Sequence, residues 1–177
     1  EPSNLHGWIA SDDGLPTGTS SFATTPSGAP IGTGSLGLTV DSTGQSLLYA
    51  PEFQAVPFSR ISAMSYHAYT PIASVDNAVT LQFNYDNDLS DGTNSYQGRL
   101  VFEPLYSNTI IINDTWQALN PQSGKWWATP NAFSTLDEAC PQAAPCTWSE
   151  VLSASPNAGV GTAAGFGGIL VKLGGPI

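Results

Sequence analysis

Positive charge is nearly missing from this chain. Four basic residues, Arg60, Arg99, Lys125 and Lys172, stand against fourteen Asp and Glu, for a formal net charge of −10 over 177 residues. Binding to nucleic acid needs clustered cations that displace phosphate counterions, and these four are scattered singly. Nucleic-acid partners are therefore excluded, and an anionic membrane surface is disfavoured on the same grounds. No stretch approaches the roughly 18 consecutive apolar residues of a membrane-spanning helix, so membrane insertion is not expected. Charge of either sign is scarce, at 10% of residues, yet 41% are hydrophobic and there are five Trp, six Tyr and seven Phe. Disordered chains are poor in aromatics, so a folded core is expected, with Ser, Thr, Asn and Gln solvating the surface as in many secreted β proteins.

Catalytic patterns are also missing. His6 and His67 have no nucleophile motif beside them, and no G-x-S-x-G occurs. Two acids flanking one cleft would be needed for paired-carboxylate hydrolysis. Glu103, however, reads as the local partner of Arg99 on one strand face, and Glu52 and Glu150 fall in loop and helix contexts. The expectation is a protein that is not an enzyme and carries no cofactor. Cysteine is limited to Cys140 and Cys146 in "CPQAAPC". The spacing is not that of a C-x-x-C redox pair, and two Cys without nearby His make a poor zinc site. In an oxidising compartment the two are expected to form a local disulfide. The sequence opens on Glu1-Pro2-Ser3, with neither a Met nor a basic start followed by an apolar core. That is how a chain reads once a signal peptide is removed, and the expected location is extracellular, at the cell surface.

What is present is a period of two. In "AVTLQFNYD" Val79, Leu81, Phe83 and Tyr85 share one face, against Thr80, Gln82 and Asn84. "GSLGLTV", "AMSYHAY", "SYQGRLVFE" and the late run "FGGILVKLG" alternate in the same way, with Gly, Pro, Asn and Asp turns between them. Such a series predicts an all-β fold, an antiparallel β-sandwich of jelly-roll type, in a single domain over 1–177. One short helix is predicted near 147–154, in "TWSEVLSASP". There Thr147 and Glu150 have capping-box spacing, and Pro156 ends the run.

Three motifs have both a functional and a plain reading. "GTGSLG" has the G-x-G-x-x-G spacing, but a strand-like run follows it where a dinucleotide site needs a helix, so its glycines belong to a turn and a strand start. "DNDLSDG" gathers Asp86, Asp88 and Asp91. It is one residue out of step with a calcium loop and has Gln97 at the twelfth position, so a polar hairpin loop is favoured over Ca2+. "NDT" makes Asn113 an N-glycosylation acceptor, expected to be exposed between two strands. The adjacent Trp126 and Trp127 point to opposite faces if they lie on a strand. Both are then buried, or one remains open to stack on a sugar or to anchor a partner.

The phrases "PSNLHGW", "APIGTGSLGLTV", "YQGRLVFEP", "TWQALNPQSGKWWAT" and "CTWSEVLSASPNAGV" followed by "GGILVKLG" resemble a family of secreted bacterial jelly-roll domains of exported surface proteins. The likeness implies fold and compartment but no catalytic residues. Such domains usually continue past the "KLG" strand into a final "G-N-V-D-x-x-x-I-G" strand, and no such phrase follows here. A sandwich without its last strand leaves an open edge, which a second copy can fill. The expected donor is the N-terminal strand, residues 1–11, with Leu5, Trp8 and Ile9 meeting Ile169, Val171 and Leu173. The plain alternative is that the chain's own N-terminal strand covers that edge. The functional expectation is a structural subunit assembling head-to-tail with copies of itself. The alternative is a carbohydrate-binding module that holds glycans on Trp126 or Trp127, with Trp8 and Trp116 as further exposed-ring candidates.

Overall fold

Alternating side chains become strands over most of their predicted lengths. The computed structural model describes residues 7–11, 18–41, 45–72, 78–132, 134–163 and 168–174. Within these lie β1 (Ile9–Ser11), β2 (Thr19–Ala23), β3 (Ser35–Thr39), β4 (Gln45–Ala50), β5 (Tyr66–Tyr69) and β6 (Thr80–Asp86). They are followed by β7 (Arg99–Phe102), β8 (Trp116–Leu119), β9 (Lys125–Ala128), β10 (Cys146–Thr147), β11 (Gly159–Val160) and β12 (Gly168–Gly174). Two short helices, α1 (Leu136–Ala139) and α2 (Trp148–Ala154), flank the disulfide loop. The protein is mostly β, and every strand pairs antiparallel.

The main sheet runs β1-β4-β12-β6-β7-β9-β10, with β11 also on β6; β2-β3 and β5-β8 form separate two-stranded ribbons. Its two faces differ in chemistry. Phe83 and Tyr85 of β6, Leu100 and Phe102 of β7, and Trp126 and Ala128 of β9 all enter one hydrophobic core. That face is closed by Phe58, Leu136 of α1, Trp148 and Val151 of α2, Val160 of β11 and the two cysteines, with Tyr66 of the β5-β8 ribbon packed edge-on against Phe102. Trp126, fully buried, stacks on Phe83 at 5.3 Å between ring centroids and meets Trp148 at 5.2 Å. The alternate positions carry Gln82, Asn84, Asp86, Leu170 and Lys172, and these are buried too. Buried polar groups must be satisfied, and this layer is bonded within itself. Asn84 accepts from Arg99 Nε at 3.0 Å, Gln82 donates to Thr80 at 2.8 Å, and Thr80 donates to the Lys172 carbonyl at 3.1 Å.

The late alternating run holds the middle of the sheet. β12 pairs with β4 from Ile169↔Ala50 to Gly174↔Gln45 and with β6 from Gly168↔Asn84 to Lys172↔Thr80. Its period of two does not mark one wet face: Leu170 and Lys172 are buried, while Ile169, Val171 and Leu173 are only partly so. A residue at 168 must suit φ +134°, and a Cβ there would lie 2.7 Å from the Ala50 carbonyl oxygen, so Gly168 starts the strand.

The predicted helix and disulfide are both present. Cys140 and Cys146 are bonded, with Cα atoms 5.3 Å apart. Thr147 and Glu150 form the capping box: the Thr147 N–H donates to Glu150 at 2.7 Å and the Glu150 N–H to Thr147 at 3.3 Å. "GTGSLG" is a turn at Gly32, φ +73°, running into β3 at Ser35.

Candidate functional site

The expected subunit contact falls apart at β12. β4 takes one of its hydrogen-bonding edges from Ile169 to Gly174 and β6 the other from Gly168 to Lys172, so Ile169 and Val171 have no open edge for a donor. The N-terminal strand does not reach it either. β1 pairs with β4, Ile9↔Tyr49 to Ser11↔Leu47, on the side of β4 away from β12. Sequence nearness to a terminus misled here, because the partners of β12 come from distant parts of the chain. Among the described residues β1 has β4 as its one neighbour, with Ile9 44% exposed and Trp8 half-buried before it. Leu5 lies outside the described residues.

The tryptophan pair divides as strand geometry requires. Trp126 is core, its indole N–H donating to the Pro121 carbonyl at 2.9 Å, which removes it as a surface for sugar. Trp127 pairs in register with Val101 on the opposite face and is half-buried. Beside it lies Tyr106, ring centroids 6.4 Å apart and tilted by 52°. Tyr106 is held there by its neighbour: Ser107 Oγ donates to the Lys125 carbonyl at 3.0 Å and accepts from the Lys125 N–H at 2.8 Å. This staples the helical turn at Leu105–Ser107 to β9, and buried Pro104 anchors its start. Burial raises the Glu103 carboxyl above its ordinary range, while the adjacent Trp127 indole pulls it the other way. That indole N–H meets no acceptor at full hydrogen-bond geometry. Arg99, expected to pair with Glu103, instead reaches Asn84 on β6.

The aspartate run is a network of turns. Asp86 accepts from the Asp88 N–H at 2.9 Å and from Gln97 at 3.2 Å. Asp88 accepts from Ser90 and Asn157, and Asp91 from the Thr93 N–H at 2.6 Å. Burial raises the Asp86 carboxyl, whereas the Ser90 bonds lower that of Asp88. Among the described residues no three His, Cys, Asp or Glu side chains form a cage for a metal ion. Asn113 is half-buried rather than exposed. Its Oδ1 is shielded from water without a partner, because the segment bridges to Thr70 beside the β5-β8 ribbon.

A further feature has no strand or helix period in the sequence to announce it. At the end of the β5-β8 ribbon, Ile72, Ile110 and Ile112 are 66%, 82% and 53% exposed. The Ile72 N–H donates to Asp114 at 3.2 Å, the Ile112 N–H to Gln117 at 3.1 Å, and Gln117 to the Ile110 carbonyl at 2.8 Å. Their backbones are thus tied together in one turn structure. Trp116 stacks edge-on against Tyr69 and donates to the Ser27 carbonyl at 3.2 Å, fastening the loop that carries Ile31, 77% exposed, to the same ribbon. The signal was "NTIIIND": three isoleucines without the alternation of a strand or the length of a helix, between polar residues. Compared with protein-family models, curated proteins and solved structures, the chain matches none.

Proposed function

We propose that this protein is a non-enzymatic, extracellular structural subunit that associates with copies of itself through the isoleucine end of the β5-β8 ribbon. One observation carries the reading: Ile72, Ile110 and Ile112 stand in water on a hydrogen-bonded turn, where a monomer gains nothing from them. Strand complementation enters this proposal only at the edge of β1 with Ile9, since β12 is already paired. The resemblance to secreted bacterial surface domains supports the compartment, and the disulfide accords with it. In this reading the fold is a jelly-roll variant in which α1 and α2 take the place of part of the second sheet.

Magnitudes make the contact weak in pairs. Burying three isoleucines on each of two copies, which expose two-thirds of their area on average, yields about 6–12 kcal/mol, against an association cost of about 4–15 kcal/mol. A lasting assembly therefore needs several such contacts acting together. Sedimentation velocity over a concentration series tests the reading. Wild-type protein should associate at high concentration, and Ile110→Asp/Ile112→Asp should remain monomeric with an unchanged melting temperature. A wild-type chain that stays monomeric at millimolar concentration would overturn it.

A further inference from the structure

The face of β9 turned away from the core belongs to the main sheet rather than to the β5-β8 ribbon, and it carries its own pair of rings. We infer that Trp127, Tyr106 and Glu103 form a binding site for a neutral pyranose sugar. The two rings, 6.4 Å apart and tilted by 52°, make a bent apolar surface of the kind that the C–H face of a pyranose covers. Both are fixed in advance, Trp127 by the β7-β9 register and Tyr106 by the Ser107–Lys125 staple. Little ordering is left to oppose binding. A sugar also needs polar groups for its hydroxyls, because a hydroxyl buried without a partner costs more than stacking returns. Glu103, one position past the Phe102↔Trp126 pair, supplies carboxylate oxygens as acceptors, while the Trp127 N–H is shielded from water and turned toward that carboxyl rather than toward a ligand. Apolar walls with a few converging polar groups are the usual composition of such sites.

Charge narrows the ligand further. Lys125, the nearest cation along β9, turns to Glu150 at 3.7 Å. Arg99 donates to Asn84 on β6, which lies on the far side of β7 from Trp127. The carboxylate is left to set the local sign, on a chain of net charge −10. Uronate and sulfated sugars are repelled and uncharged ones accepted.

Affinity electrophoresis of the intact, disulfide-bonded chain tests this, with hydroxyethylcellulose, xylan, galactomannan, laminarin and polygalacturonate as probes. At least one neutral polysaccharide should retard wild type, and polygalacturonate should not. Tyr106→Ala and Glu103→Gln should each weaken the retardation tenfold or more, while Trp116→Ala leaves it unchanged. Glu103→Gln preserves shape, so it still reports if Tyr106→Ala unfolds. No retardation by any neutral probe, retardation by polygalacturonate as strong as by the neutral ones, or undiminished binding in Glu103→Gln would each overturn the site. None of these outcomes bears on self-association, which has its own measurement.

Discussion

Glu103 is held against its own preference. Its carboxyl is raised by burial, so the fold favours the protonated form. The stability this contributes is present below the ordinary carboxylate pKa and is lost as pH rises through the folded value, leaving an ionised group at a cost at neutral pH. Glu103→Gln removes that cost and retains a carbonyl acceptor. The variant should be more stable than wild type at pH 7, by less than about 1 kcal/mol because the group is partly in solvent. The difference should shrink to nothing near pH 3. Thermal melts at both pH values check it, and an equal gain at each would assign the effect to packing instead. At this scale the sequence showed only that Glu103 follows Arg99 at a same-face spacing. The burial, and the indole in place of the guanidinium, arise from the Ser107 staple and the Asn84 acceptor, both set by distant chain.

Among the elements, legibility followed locality. The α2 capping box and the disulfide could be read because both close within a few residues, and β6 because Val79 to Tyr85 alternate without interruption. The end of β12 could not be read, since the burial of Lys172 depends on strands from two other regions. The isoleucine turn has no period at all. The disulfide closes only a short loop, so Cys140→Ser/Cys146→Ser should cost about 2 kcal/mol on the chain-entropy model. The loss should appear mainly around α2, because Trp148 is clasped by Phe58, Phe83 and Trp126 just after the bridge. Hydrogen exchange localised to 146–155 is the expected signature. Intact mass after alkylation without reductant should show no modified thiol.

For the molecule as a whole, the excess of negative charge sets how the proposed self-association should respond to salt. Subunits of net charge −10 repel one another, and none of the three isoleucines at the ribbon end carries a charge that could compensate. Salt screens that repulsion and leaves apolar contact intact. Association should therefore tighten several-fold between about 20 mM and 500 mM NaCl, read by sedimentation velocity; weakening with salt would point to ion pairs as the glue. The placement of β12 sets a different constraint, on the order in which the molecule can be made. Synthesis delivers β4 and β6 early and the strand between them late. Until Gly168–Gly174 arrives, two strand edges destined for it stand bare, each able to take a strand from a neighbouring nascent chain. A chain held extended until all of it is available, as during export through a narrow channel, passes over that interval and closes its sheet in one step.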